Sequence, residues 1–264
     1  MAERAADNGK RAMTLATDLQ TTLGKIATSA AMVKMPGQLS KIYEIWILFN
    51  LAERLKQKKW QVEIRGHNDA PVTRFRQRGN PGFIHPASAT APKPSFVLLT
   101  RPGDNEQFEL HNSVRFAGRS SALHEFDVFL IARTIGNSLR AAQQKRAAVG
   151  HPMLSIECKY YSGTASIGVP RAVIGTLYDT THWNRHALED RGHLEGGDVI
   201  HCTSLKDRLD YGFPAVISPR KFTPGAKNLA NAYKLRLFPR IKVGSSQLVT
   251  FLDQAELWLT VYPG

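Results

Sequence analysis

Between Ser40 and Arg65 the apolar period of the chain changes from that of a helix to that of a strand across one short break. Ile42, Ile45, Trp46 and Phe49 recur at helical spacing and, with Leu48, Leu51 and Leu55, cover a wide apolar face. The segment therefore predicts a helix packed into the core, with Ser40 placed to cap it. From Trp60 to Arg65, Trp60, Val62 and Ile64 alternate with Gln61, Glu63 and Arg65, the period of a half-buried strand. A helix feeding straight into a sheet points to a mixed architecture rather than a bundle.

The remaining segments extend that pattern. Strands are expected at Ser95–Thr100, Gln107–Phe116, Leu123–Ile131 and Met153–Tyr161, with one more at Val199–Thr203. Helices are expected at Lys10–Lys34, Asn137–Ala148, Arg171–Thr180 just past Pro170, Asn228–Leu237 and Gln247–Thr260. Asp69–Ser95 carries five prolines and two glycines, too many breakers for regular structure, and reads as a long inserted loop. The expected class is α/β (α+β), a central mixed sheet flanked by helices. It divides into an N-terminal helical arm (1–38), a core (39–205) holding the inserted loop 69–95 and inserted helix 137–148, and a C-terminal extension (206–264) packed on the core.

A formal charge of +13 favours a polyanionic partner, because neutralising phosphates releases counterions and steers association. A merely solvated basic surface is the plain alternative. Two cysteines, Cys158 and Cys202, imply no disulfide framework. The longest apolar run is far short of a membrane span, and the N-terminus, with Glu3 and Asp7, does not read as a secretory signal. A cytoplasmic protein without membrane contact is therefore expected. No GxxxxGK loop is present, so NTP hydrolysis would have to come from a partner protein.

The chemistry is concentrated on two strands. In Met153–Tyr161, Leu154, Ile156, Cys158 and Tyr160 take one face, while Ser155, Glu157 and Lys159 take the other. A Glu-x-Lys alone arises about once by chance in a chain of this length, and by itself is better explained as a solvent-facing ion pair. The upstream strand adds the decisive signal: Phe126, Val128 and Leu130 are expected on one face, with Glu125 and Asp127 on the other. If the strands are neighbours, Asp127, Glu157 and Lys159 converge, and so many charges beside a sheet centre call for a cation or an anionic substrate. Hard oxygens from Asp127 and Glu157, with the Cys158 carbonyl, suit Mg2+, with Mn2+ as a substitute. Lys159 could then stabilise negative charge or assist in deprotonating water at a phosphodiester.

Glu125-Phe-Asp127, followed on the next strand by Ile156-Glu-Cys-Lys159 and preceded by a helix containing Tyr43-Glu-Ile-Trp46, resembles the PD-(D/E)XK, or restriction-endonuclease-like, nucleases. Phe126 stands where that pattern has proline. The resemblance covers roughly 39–203 and is closest to nuclease domains of bacterial restriction and defence systems. It implies an αβββαβ core, Asp127 and Glu157 as metal ligands, Lys159 as catalytic partner, and Glu44 on the first helix as a further ligand. For Glu44 the competing explanation is a first-turn glutamate meeting the helix dipole. The implied activity is Mg2+-dependent cleavage of DNA, in restriction or anti-phage defence. A structure-specific or RNA-directed nuclease, and a catalytically silent nucleic-acid-binding component, remain the alternatives. Cutting both strands would suggest a homodimer.

Arg74, Arg76 and Arg78 alternate in the inserted loop, and with Arg140, Lys145 and Arg171 they are candidates to position a DNA backbone. His182, His186, His193 and His201, with Cys202, lack the compact spacing of a zinc site and read as an exposed loop.

Overall fold

The computed structural model describes residues 2–27, 30–160, 163–181 and 212–261. The elements, in chain order, are α1 (Ala2–Ile26), β1 (Ala31–Met32), α2 (Leu39–Gln57), β2 (Gln61–Arg65), β3 (Arg74–Phe75), β4 (Phe96–Thr100), β5 (Gln107–Ala117) and β6 (Leu123–Ala132). They continue with α3 (Arg133–Ala141), β7 (Ala148–Val149), β8 (Leu154–Cys158), α4 (Gly168–Thr181), β9 (Phe213–Ile217), α5 (Pro224–Ala232), β10 (Arg236–Phe238) and α6 (Ser246–Val261).

The main sheet has the order β10-β9-β8-β6-β5-β4-β2, with β7 paired to β5 off that path. From β2 through β8 the neighbours along this path are antiparallel, whereas β8, β9 and β10 are parallel. Parallel neighbours need a crossover, and α4 and α5 lie in the chain between them. The mixed sheet flanked by helices agrees with the class expected from the sequence. The segment after 206 supplies β9 and β10 to the sheet itself, and Leu248, Phe251 and Ala255 of α6 join the same apolar cluster as α2.

That cluster fills one face of the sheet. Leu15, Leu19 and Leu23 recur every fourth residue on α1 and are buried against α2, so the arm is part of the core. Every residue of α2 from Ile42 to Ala52 is buried, because α1 and α6 cover the sides that the sheet leaves open. Two polar anchors fix its rotation: Trp46 Nε1 donates to Asp18 Oδ2 at 2.6 Å and Tyr43 Oη to the Ile241 carbonyl at 3.1 Å. On the opposite face Phe116, Phe126, Phe129 and Leu139 form a second cluster, and Leu177, Val216, Phe222 and Ala226 a third beneath α4 and α5.

Several local expectations are corrected. Ser40 does not cap α2; the capping position is Gln38, whose side chain makes no capping bond. The inserted helix runs over Arg133–Ala141 rather than 137–148, and the chain then forms β7. Its early start is a packing effect: Gly136 passes so close to the Glu109 carboxylate that a Cβ would collide with it, while Arg140 reaches the same carboxylate. Asn228–Leu237 divides into the end of α5 and the start of β10, because Thr223, accepting from Ala226 N, and Pro224 start the helix earlier. The inserted loop contains β3, paired with β1. The strand expected at Val199–Thr203 lies outside the described residues.

The largest correction concerns the face of β6. Its ladder with β5 passes from Asn112↔Val128 to Val114↔Phe126 without pairing Ser113 with Asp127, and Ser113 has φ 51. That left-handed conformation is uncommon for a residue other than glycine. Val128 and Leu130 belong to the first cluster, but Phe126, Val114 and Phe116 belong to the second. The alternation thus changes face at this point, and Phe126 does not share a face with Val128 and Leu130.

Candidate active site

The change of face at Ser113 and Asp127 coincides with the place where two strands part. Pairing of β6 with β8 ends at Val128↔Ile156, while β8 continues beside β9 to Cys158↔Ile217. The Cys158 N–H, left without a partner on β6, donates instead to Asp127 Oδ2 at 2.8 Å. A carboxylate therefore takes the place of a backbone acceptor and is drawn to the fork. Leu154, Ile156 and Cys158 face the apolar cluster, as the alternation requires. Glu157 and Lys159 follow at the open end of β8, half-buried and paired with each other.

α2 approaches from the cluster side and brings Glu44, which is 3% exposed. Glu44 is the sixth residue of its helix, and α2 has no acid in its first turn, so the helix dipole does not explain it. Its partners are specific: Lys41 Nζ donates to Glu44 Oε2 at 2.8 Å, and Ser113 Oγ donates to the same oxygen at 3.1 Å. Lys41 also reaches Ser113 Oγ at 3.0 Å and Glu125 Oε1 at 3.4 Å. The backbone distortion at Ser113 thus places its hydroxyl between two charged groups of α2.

The electrostatics show how crowded this fork is. Burial raises the Asp127 carboxyl well above its ordinary range, and the charges of Glu157 and Glu44 add to the rise against the opposing pull of Lys159 and the Cys158 N–H. Burial likewise raises Glu44, though Lys41 and Ser113 resist. Lys41 itself ends above its ordinary value: burial pulls it down, but Glu44, Glu125 and Asp127 outweigh that. The Cys158 thiol is pushed well up by burial, then by the same carboxylates, which favours the neutral thiol.

The structure therefore brings Asp127, Glu157, Lys159 and Glu44 into one electrostatic neighbourhood, and it adds Lys41, Ser113 and Glu125. Lys41 had a local signal, its spacing of three residues from Glu44 on one helix. Ser113 had none, because its role depends on a backbone distortion. Among the described residues no three His, Cys, Asp or Glu side chains are grouped as ready metal ligands; Glu44 and Glu157 are each held by a lysine.

The basic candidates divide. Arg74, Lys145 and Arg171 are exposed and Arg76 is half-buried. Arg78 and Arg140 turn inward, which corrects their expected place on a DNA-facing surface: each is less than a tenth exposed. Burial lowers Arg78 to about 10, and Arg140 is committed to Glu109. His124 is structural, with Nε2 2.7 Å from Asp179 Oδ2, tying β6 to α4. His182, His186, His193, His201 and Cys202 lie outside the described residues. No described helix is long and apolar enough to cross a membrane. Comparison of the chain with protein-family models, with curated proteins and with solved structures finds no match.

Proposed function

We propose that the chain is a divalent-metal-dependent nuclease of the restriction-endonuclease-like kind, acting on DNA phosphodiester bonds. The observation that carries this reading is the crowding of Asp127, Glu157 and Glu44, with Lys159, where β6 and β8 part. Carboxyls perturbed as Asp127 is, raised by burial and then by the charges of Glu157 and Glu44, cluster at functional sites. The element order supports it as well: α2, the antiparallel strands β5, β6 and β8, then α4 and the parallel strand β9 contain the order αβββαβ, with β2, β3 and β4 inserted ahead of β5 and α3 and β7 between β6 and β8.

The donor type fits a hard cation, since carboxylates supply oxygen ligands, but with Lys41 and Lys159 in place the three are not grouped as ready ligands among the described residues. Asp127 and Glu157, with the Cys158 carbonyl and Glu44, would hold it, in competition with Lys41 and Lys159. Such an ion polarises the phosphate and lowers the pKa of bound water. The side chains do the rest. Lys159 stands next to Glu157 and can meet the charge that develops on a phosphoryl oxygen. The Cys158 N–H fixes one oxygen of Asp127 and leaves the other to act. Lys41 and Ser113 hold Glu44 in place.

The test is cleavage of duplex, branched and RNA substrates with Mg2+ or Mn2+, comparing the wild-type chain with Asp127→Ala and Lys159→Ala. Loss of cutting with retained binding is the expected result; variants that cut as well as wild type would sink the assignment. A second reading, a nucleic-acid-binding component that does not cut, has its own support in Lys41 and Lys159, which already neutralise Glu44 and Glu157. Absence of cutting by the wild-type chain on every substrate would favour it. A homodimer, or a partner protein supplying recognition or NTP hydrolysis, belongs to the first reading only.

A further inference from the structure

Next to the carboxylates lies a surface of opposite character. A cavity of about 390 Å³ at the N-terminal end of α2 is lined by Lys34, Lys41 and Arg76, together with the amides of Gln38 and Gln77. A second cavity, of about 620 Å³, carries Arg74, Arg76 and Lys93 beside His67 and Asn68. Both include Val33 and Arg76, so they adjoin, and no Asp or Glu is among the residues lining either one. The two together set five cations, Lys34, Lys41, Arg74, Arg76 and Lys93, along one acid-free recess.

The state of those cations is the second observation. Lys41 is bonded to Glu44, Ser113 and Glu125. Lys34, Arg74, Arg76 and Lys93 make no ion pair or side-chain hydrogen bond among the described residues, whereas Arg101, Arg133 and Arg140 are all bound to acids. The field they help create is felt nearby: His85 is lowered to about 4, first by burial and then by Arg78, Lys145, Lys93 and His67. Like charges held together without counter-charges repel, and a bound polyanion relieves that repulsion.

We infer that this double recess, running from Lys41 through Lys34 and Arg76 to Arg74 and Lys93, is the track on which a nucleic-acid sugar-phosphate backbone lies as it leaves the carboxylate fork. The inference rests on the nuclease reading for its direction, since Lys41 belongs both to the fork and to the recess. A membrane surface cannot enter a recess. No Phe, Tyr or Trp, the usual platforms for stacked bases, lines it, so the contacts are to backbone phosphate and carry no sequence preference.

The experiment is fluorescence anisotropy with a labelled oligonucleotide, single-stranded and duplex, in EDTA so that binding is read without cleavage. Lys34→Gln/Arg76→Gln is compared with wild type and with Lys58→Gln/Lys59→Gln, a control beyond the other end of α2, about 28 Å away for its nineteen residues. The recess variant is expected to bind about tenfold more weakly on at least one of the two probes, whatever their sequence. Its slope of log affinity against log salt should fall by roughly 0.7 to 0.9 for each cation removed. Affinity no lower than that of the control overturns the inference. So does polyglutamate that displaces the oligonucleotide as well as unlabelled DNA does, since the recess would then read charge without backbone. Failure of the nuclease reading looks different: the wild-type chain cuts nothing, yet the recess variant still loses binding.

Discussion

Two acids on neighbouring strands are both buried and end in opposite states. Glu109, on β5, receives Arg140 and Arg133, and His111 Nε2 stands 2.9 Å away. Burial alone would raise its pKa, but Arg140 and His111 draw it down to about 2. Asp127, on β6, has the Cys158 N–H and the Lys159 charge set against two carboxylates, and it rises, first through burial. Burial is common to both, so neighbours decide the sign. An acid whose neighbours are cations knits the fold together: Glu109 joins β5 to α3, with His111 stacked between Phe96 and Phe129. An acid crowded by acids costs stability, and such a conflict persists where binding or chemistry needs it.

The contrast can be broken in order of expected effect. Asp127→Ala or Lys159→Ala should lower cleavage ~10²–10⁴-fold, read as initial rates with Mg2+, while Glu109→Ala leaves the rate per folded molecule unchanged. Glu109→Ala should instead cost ~3–5 kcal/mol in urea unfolding, because it leaves the buried Arg140 without its carboxylate. If the two variants exchanged phenotypes, the assignment of roles would be inverted.

Stability should also move in opposite directions with pH. The Asp127 carboxyl is raised on folding, so its contribution is present below the unfolded value and lost as pH rises through the raised one. Asp127→Asn should therefore gain ~0.5–2 kcal/mol at neutral pH, a gain that vanishes near pH 4. Glu109 is depressed, so its contribution is complete above the ordinary value of 4.5 and is lost as pH falls towards about 2. Glu109→Gln should remove that part of the acid-unfolding curve, followed by circular dichroism. The smallest effect expected is the coupling between Lys41 and Glu44. A double-mutant cycle of Lys41→Met and Glu44→Gln should give ~1 kcal/mol, with the double variant more stable than Lys41→Met alone.

Much of the frame was legible along the chain because periodicity is a local property. The wide apolar face of α2, the alternation in β2 and β8, and the helix at the C-terminus all follow from side-chain spacing and were found where expected. So were the acid on one strand and the Glu-x-Lys on the next. Phe126 shows the limit of such reasoning. Its neighbours predict one face, but the backbone turns over opposite Ser113, and nothing in the local pattern announces that. Arg78 and Arg140 show another limit, since an arginine in a loop or on a short helix looks basic and exposed until a buried partner or covering backbone is known.

By itself, then, the sequence determined which residues carry charge on which strands, and that a mixed sheet with covering helices would be built around them. Only the tertiary structure decided which charges meet. The strand order put β6 beside β8, their divergence sent Asp127 to the Cys158 N–H, and the packing of α2 delivered Glu44 with its own lysine. The physical reason is range: side-chain period is set by residues one to four apart, whereas Glu44 and Asp127 lie more than eighty apart in the chain and share a field only once three elements have packed.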